Sequence, residues 1–170
     1  MKKILVIGAT GQIGSALMTK LRKEYGNDNV VAGYIEGVPL SDELKNGGPL
    51  EIADVTNAQQ IAAIIDKYKI DSIYNLAAIL SAQAEKRPLL AWNIQIGGVL
   101  NLLEISREKG CSLFTPSSIG AFGDSSPKMK TPQETIQRPF LPAGAVSSDL
   151  LQPVSNRSAA VSPDRTDIPA

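Results

Sequence analysis

Apolar residues in this chain fall into two alternating kinds of block. Short runs at Ile4–Ile7, Asn29–Ile35, Leu50–Ile52, Ile70–Asn75 and Cys111–Thr115 have strand length and hold many β-branched residues. Between them lie segments whose apolar residues recur every three or four positions: Ile13, Ala16, Leu17 and Leu21 with Lys20 on the same stripe, then Ile61, Ile64, Ile65 and Tyr68. A third such segment, Glu85–Lys109, is the longest, with Pro88 near its first turn and Gly110 at its end. Residues 36–49 carry glycine, proline and charge without a period and are expected to form a loop. Strands alternating with helices predict an α/β fold, a Rossmann-like doubly wound parallel sheet followed through about its fifth strand.

The longest segment is apolar almost all round. Leu90, Ile94, Ile96, Val99, Leu100, Leu102, Leu103 and Ile105 leave little polar surface. Such a helix needs cover on two sides, the sheet on one and a neighbouring helix or a second subunit on the other. Asn93 falls inside this run, where an amide needs partners, as a structural hydrogen-bond bridge or as part of a water relay.

Composition narrows the function classes. The 170 residues suit one domain with a proper core. Lysine plus arginine and aspartate plus glutamate both number 17, so the net charge is zero and no nucleic-acid partner is expected. Lys20, Arg22 and Lys23 then read as a solvated helix end. The chain has no histidine, which removes the commonest general base and metal ligand, and no metal cluster is expected. The single cysteine, Cys111, makes no internal disulfide and fits a reducing, cytoplasmic compartment. Two lysines lead straight into the first strand and no apolar run approaches ~20 residues, so neither a membrane span nor a cleaved signal is expected.

The candidate chemistry sits at strand ends. Gly8, Gly11 and Gly14 follow the first strand at three-residue intervals. The first permits a tight turn, the second lets the backbone approach a pyrophosphate, and the third lets the helix pack on the strand. The free amides of the helix start, at Gln12 and Ile13, would face the phosphate charge. An acidic residue about 20 positions beyond such glycines usually takes the adenosine ribose hydroxyls. Here that position is Tyr34, and Glu36 lies two residues further. Asp54, followed by Val55, can accept a hydrogen bond from an adenine amino group, while it or Asn57 caps the next helix, and the two readings can hold together. Leu76, Ala77 and Ala78 are small enough at a strand end for a flat ligand, or simply form a buried turn. Ser117 and Ser118 follow the fifth strand, as crevice hydroxyls or as turn formers.

Gly8-Ala9-Thr10-Gly11-Gln12-Ile13-Gly14, Leu76-Ala77-Ala78, Asn93 in a long helix and Ser117-Ser118 together resemble the extended short-chain dehydrogenases. Leu80-Ser81-Ala82, Ala91-Trp92-Asn93, Pro116-Ser117-Ser118-Ile119 with Phe122-Gly123, and Thr131-Pro132-Gln133 with Thr135-Ile136 are most similar to the epimerase-like L-threonine 3-dehydrogenases. The resemblance covers about residues 2–139. It implies oxidation of the threonine 3-hydroxyl with NAD as hydride acceptor. It also implies Ser118 as the catalytic serine, Ser81 at a substrate-contacting position, and cofactor contacts at Gly8, Gly11, Gln12, Ile13, Gly14, Asp54, Val55, Leu76, Ala77, Ala78 and Asn93. It further implies a homodimer for the intact family.

The same resemblance implies a tyrosine base with a lysine four residues on, shortly after Pro139. Every tyrosine here (Tyr25, Tyr34, Tyr68, Tyr74) precedes the serine pair, and the last lysine is Lys130. Residues 140–170 hold four prolines, five serines and five alanines without amphipathic period, which favours an irregular tail after an NAD-binding domain at 1–139. Match and periodicity stop together, so the tail is read as a replaced or out-of-frame end on a dehydrogenase half. Without the missing helix, the longest helix would expose an apolar stripe and favour self-association.

Overall fold

Ile4–Ile7 are buried on both faces, as a central strand of a parallel sheet requires, and they form β1. The fold is that of a computed structural model, which describes residues 2–79, 81–117, 127 and 129. Its other strands are β2 (Val30–Tyr34), β3 (Leu50–Ile52), β4 (Ser72–Asn75) and β5 (Ser112–Phe114). All pairs are parallel, in the order β3-β2-β1-β4-β5, with Ile7 opposite Gly33 on one side and Asn75 on the other. The chain therefore steps outward from β1 to β3 and crosses back to β4 on the far side of β1. The carboxyl end of β1 is the topological switch point, where open α/β sheets form their crevice. β5 is at an edge of the described sheet, so Ser117 follows an edge strand.

Helices cover both faces. On one, α3 (Ala58–Tyr68) and α6 (Gly98–Lys109) bury Ile61, Ile64, Ile65, Leu102 and Ile105 against Leu5, Ile7, Ile73 and Leu113. On the other, α1 (Gln12–Tyr25) and α2 (Asp42–Asn46) bury Met18, Leu21 and Leu44 against Ile4, Val6, Val30 and Ala32.

Several sequence expectations need correcting. The buried stripe of α1 is Gly14, Met18, Leu21 and Arg22; Ile13 is 69% exposed, so the true stripe is rotated and includes a charge. Residues 36–49 are not all loop. Ser41 Oγ accepts the Leu44 N–H at 3.3 Å and starts α2, whose Leu44 is buried. The long helix does not begin at Glu85. It is preceded by α4 (Ser81–Lys86), broken at Arg87, and resumes as α5 (Pro88–Trp92), a π turn over Asn93–Gly97, and α6. Leu89, Trp92 and Leu100 are exposed among the described residues, so only part of its apolar surface is covered. Strand ends are trimmed by a residue or two, as with Asn29, which closes a 3-10 turn before β2.

Arg22 is not part of a solvated helix end. It is 6% exposed, and its Nη1 and Nη2 donate to the carbonyls of Glu43 (3.4 Å) and Pro49 (3.1 Å). Burial lowers its pKa from the ordinary value, opposed by the Glu43 charge, and a guanidinium stays protonated regardless. Gly47 and Gly48 make room for it: a Cβ on Gly47 would fall 2.6 Å from Nη1. The side chain thus ties the end of α1 to the approach to β3. Arg22→Ala is expected to lower the unfolding free energy by about 2 kcal/mol in urea titrations, and Arg22→Lys to recover less than half, because an ammonium does not span two carbonyls.

Candidate functional site

At the end of β1 the chain turns at once. Gly8 has φ +81°, and the N–H groups of Gly8 and Ala9 both donate to the Gly33 carbonyl, at 3.1 and 3.0 Å. Gly11 N–H returns to the Gly8 carbonyl at 3.1 Å, and α1 starts. The three glycines differ in what demands them. A Cβ on Gly8 would lie 2.8 Å from the Leu76 carbonyl carbon, and one on Gly14 would lie 2.1 Å from the Gly8 oxygen, so both are required by packing. A Cβ on Gly11 would meet nothing closer than 3.4 Å, at an ordinary φ of −71°. Nothing within the described chain requires a glycine there, whereas a ligand lying on the turn would.

The helix start behind that turn is open. Gly11 makes no side-chain cap and the first turn of α1 has no acidic residue, whereas Ser41 caps α2 and Asn57 caps α3. The first-turn N–H groups, from Gln12, Ile13 and Gly14, have no intrahelical acceptor, and the helix starts at the carboxyl end of β1. Gln12 and Ile13 are exposed there. Free N–H groups at an open helix start suit the charge of a pyrophosphate.

The remaining expected cofactor contacts line the neighbouring strand ends. Leu76 N–H donates to the Ile7 carbonyl at 2.9 Å, which lays the Leu76–Ala78 segment along the glycine turn. Leu76 and Ala77 are half-buried and Ala78 is exposed. Beyond β3, Asn57 takes the helix cap by accepting the Gln60 N–H at 3.0 Å. Asp54 makes a different turn: its Oδ1 accepts the N–H and hydroxyl of Thr56, at 2.9 and 2.7 Å. That leaves Asp54 Oδ2 without a partner among the described residues and able to accept from a ligand amino group. Val55 is buried, its carbonyl held by Asn101 Nδ2 at 2.9 Å, and a Cβ on Gly98 would fall 2.6 Å from its methyl.

Asn93 is a correction. It is exposed and opens the π turn, so it is neither a buried bridge nor an amide in need of partners. The amide that works from that turn is Gln95, whose Nε2 donates to the Ile79 carbonyl at 3.1 Å. Sequence reasoning missed Gln95, Asn101 and Asn75. Their signal was available: each is an uncharged amide in an apolar strand or helix pattern. Tyr34 is half-buried at the ribose position, its carbonyl taking the Ala53 N–H at 2.8 Å, and Glu36 is exposed beyond it.

Ser81 is the first residue of α4, three positions after Ala78. Ser118, residues 131–136 and the tail at 140–170 lie outside the described residues. Ser117, two positions after Thr115, is exposed beyond the end of β5. Among the described residues, no group of three His, Cys, Asp or Glu could hold a metal ion. Two tyrosines are tuned away from base chemistry: the Glu24 charge raises Tyr25, and the Tyr68 hydroxyl is raised by its bond to Glu51. Burial, with the Asp71 charge, pushes the Cys111 thiol up and makes it a poor nucleophile.

A parallel sheet with a glycine turn at its switch point and an uncapped helix behind it is a Rossmann-like arrangement. The sequence profile of the NAD dependent epimerase/dehydratase family matches residues 4–145, and the chain belongs to that family. It is 50% identical over 153 residues to an uncharacterised epimerase/dehydratase of Staphylococcus haemolyticus, covering 89% of this chain and 48% of the relative. Among solved structures it is similar to an L-threonine dehydrogenase from Clostridium difficile, at 47% identity and TM-score 0.79, covering 95% of this chain and 51% of that one. It is also similar to the holo form of a GalE-like L-threonine dehydrogenase from Cupriavidus necator, at 38% identity and TM-score 0.77, covering 85% and 46%. A Thermus thermophilus UDP-glucose 4-epimerase solved with NAD, at 24% identity and TM-score 0.76, shares the fold over 90% of this chain and 50% of its own. The chain spans about half the length of the relatives it matches.

The contrast among the glycines gives a direct test. Gly14→Ala is expected to destabilise the chain by about 3 kcal/mol in urea titrations, because the Gly8 carbonyl must move. Gly11→Ala is expected to unfold within about 0.5 kcal/mol of the parent.

Proposed function

We propose that this chain binds NAD across the glycine turn and is a dehydrogenase half of the L-threonine 3-dehydrogenase type. The observation that carries the binding reading is Gly11, the one glycine of the three whose missing side chain answers to no contact within the described chain. The threonine reading is supported by the similarity to threonine dehydrogenases at 38 to 47% identity.

In this proposal the first-turn N–H groups of α1 take the pyrophosphate charge, and Asp54 Oδ2 accepts from the adenine amino group. The Leu76–Ala78 segment would hold the nicotinamide ribose. Bound NAD supplies the hydride acceptor. Ser118 hydrogen-bonds the reacting substrate oxygen, and Ser81 contacts the substrate. Oxidation of the threonine 3-hydroxyl must also remove its proton, and the chain has no tyrosine after Tyr74 and no lysine after Lys130 to do so. That absence favours the second reading, an NAD-binding module without catalysis. Losing a positioned base lowers turnover by roughly 10²- to 10⁴-fold.

Titration of NAD against fluorescence of the single tryptophan, Trp92, or by calorimetry, together with threonine-dependent NADH formation, separates the two. The expected outcome is saturable NAD binding with turnover at most a hundredth of a full-length relative's. Robust turnover would restore the enzyme reading for this chain, and no binding at millimolar NAD would sink both readings. Gly11→Ala is expected to weaken NAD by about 10-fold or more with little loss of stability, since a methyl group would stand on the turn that would receive the phosphate.

A further inference from the structure

Asn75 is the last residue of β4 and is 3% exposed. A buried amide costs free energy unless its groups are satisfied, and an aliphatic residue such as those at Ile7 and Ile73 would fill the space without that cost. Here both ends of the amide are used. Oδ1 accepts the Ala77 N–H at 3.2 Å, and Nδ2 donates to Thr115 Oγ1 at 3.3 Å. The Ala77 N–H can only donate, which fixes the orientation of the amide.

The two bonds reach different walls of the crevice. The first bends the chain at Leu76, whose peptide with Ala77 lies against Gly8. The second reaches the residue just past β5, next to Pro116 and Ser117. The backbone ladder between these strands ends at Tyr74 and Phe114, and Asn75 extends the link by one step where main-chain pairing has run out.

We propose that Asn75 is a positioning residue that sets the Leu76–Ala78 turn against the Thr115–Ser117 segment and so fixes the width of the crevice at its nicotinamide end. The identity of the ligand rests on the dinucleotide reading above; the tie itself does not.

Asn75→Leu, Thr115→Val, Thr115→Ser and the double Asn75→Leu/Thr115→Val variant in the full chain test it. Without ligand, Thr115→Val is expected to speed hydrogen exchange at the Ala77 amide roughly 10-fold although Thr115 makes no bond to it, while Thr115→Ser exchanges like the parent. The double variant is expected to exchange no faster than Asn75→Leu alone, because both changes break one tie. Unchanged Ala77 exchange in Thr115→Val, or equal acceleration in Thr115→Ser, overturns the tie. With ligand, Asn75→Leu is expected to weaken NAD roughly 10-fold and AMP by less than about 2-fold, since AMP covers only the adenosine half. Equal losses for NAD and AMP overturn the positioning role. A parent chain that binds neither removes the dinucleotide reading instead, and Ala77 exchange still decides the tie.

Discussion

The Gly8 carbonyl is the fixed point of the molecule. It accepts the Gly11 N–H and stands 2.1 Å from where a side chain on residue 14 would begin. The strand that delivers it is held from both sides, Gly33 taking the Gly8 and Ala9 N–H groups and Ile7 taking the Leu76 N–H. A 14-residue helix is marginal by itself in water, so the aim of α1 comes from its contacts. At its start those are the glycine contacts, and near its end they are the two carbonyls gripped by buried Arg22. Fixing both ends is what keeps the open first turn directed at the crevice.

The fold was largely legible because its strands are short apolar runs and its helices have a clear period. β3 was read at its exact bounds, and the isoleucine stripe of α3 as it stands. What failed were assignments in which charge or amide identity was read without packing. Arg22 looks like a surface residue in any pattern of charges; only Gly47, Gly48 and the carbonyls of Glu43 and Pro49, distant in sequence, make a socket for it. Asn93 looked buried because its neighbours are apolar, yet the π turn puts it in solvent and hands the bonding to Gln95. The glycine turn was legible as a unit, but the division of labour among its glycines was not. Nothing in the spacing says that Gly8 and Gly14 serve packing and Gly11 does not.

Electrostatically the cradle is made of backbone. Residues 8–19 include no lysine or arginine, so this stretch would meet a bound pyrophosphate with peptide dipoles and no side-chain cation of its own. Such donors are fixed in place before the ligand arrives and lose no side-chain entropy on binding it. This is consistent with a chain whose charges balance and with Gly8 and Gly14 packed too closely for any side chain. Here placement has to supply what net charge does not.

Hydropathy alone misdescribes the longest helix. Pro88–Lys109 is 22 residues long and apolar enough to cross a bilayer by composition. In the fold it is a core helix instead, burying Ile96, Val99, Leu102 and Ile105 on one side. Two of its features make sense only in that setting. Gly98 lets the helix backbone press on Val55, and Asn101 and Gln95 reach the carbonyls of Val55 and Ile79 at the ends of the crevice walls. A bilayer gives an amide no use for such positions, whereas here the two carbonyls stand beside strand ends that have run out of backbone partners. The buried side of the helix is therefore apolar because the sheet needs covering, and two of its amides, Gln95 and Asn101, reach carbonyls beyond the strand ends.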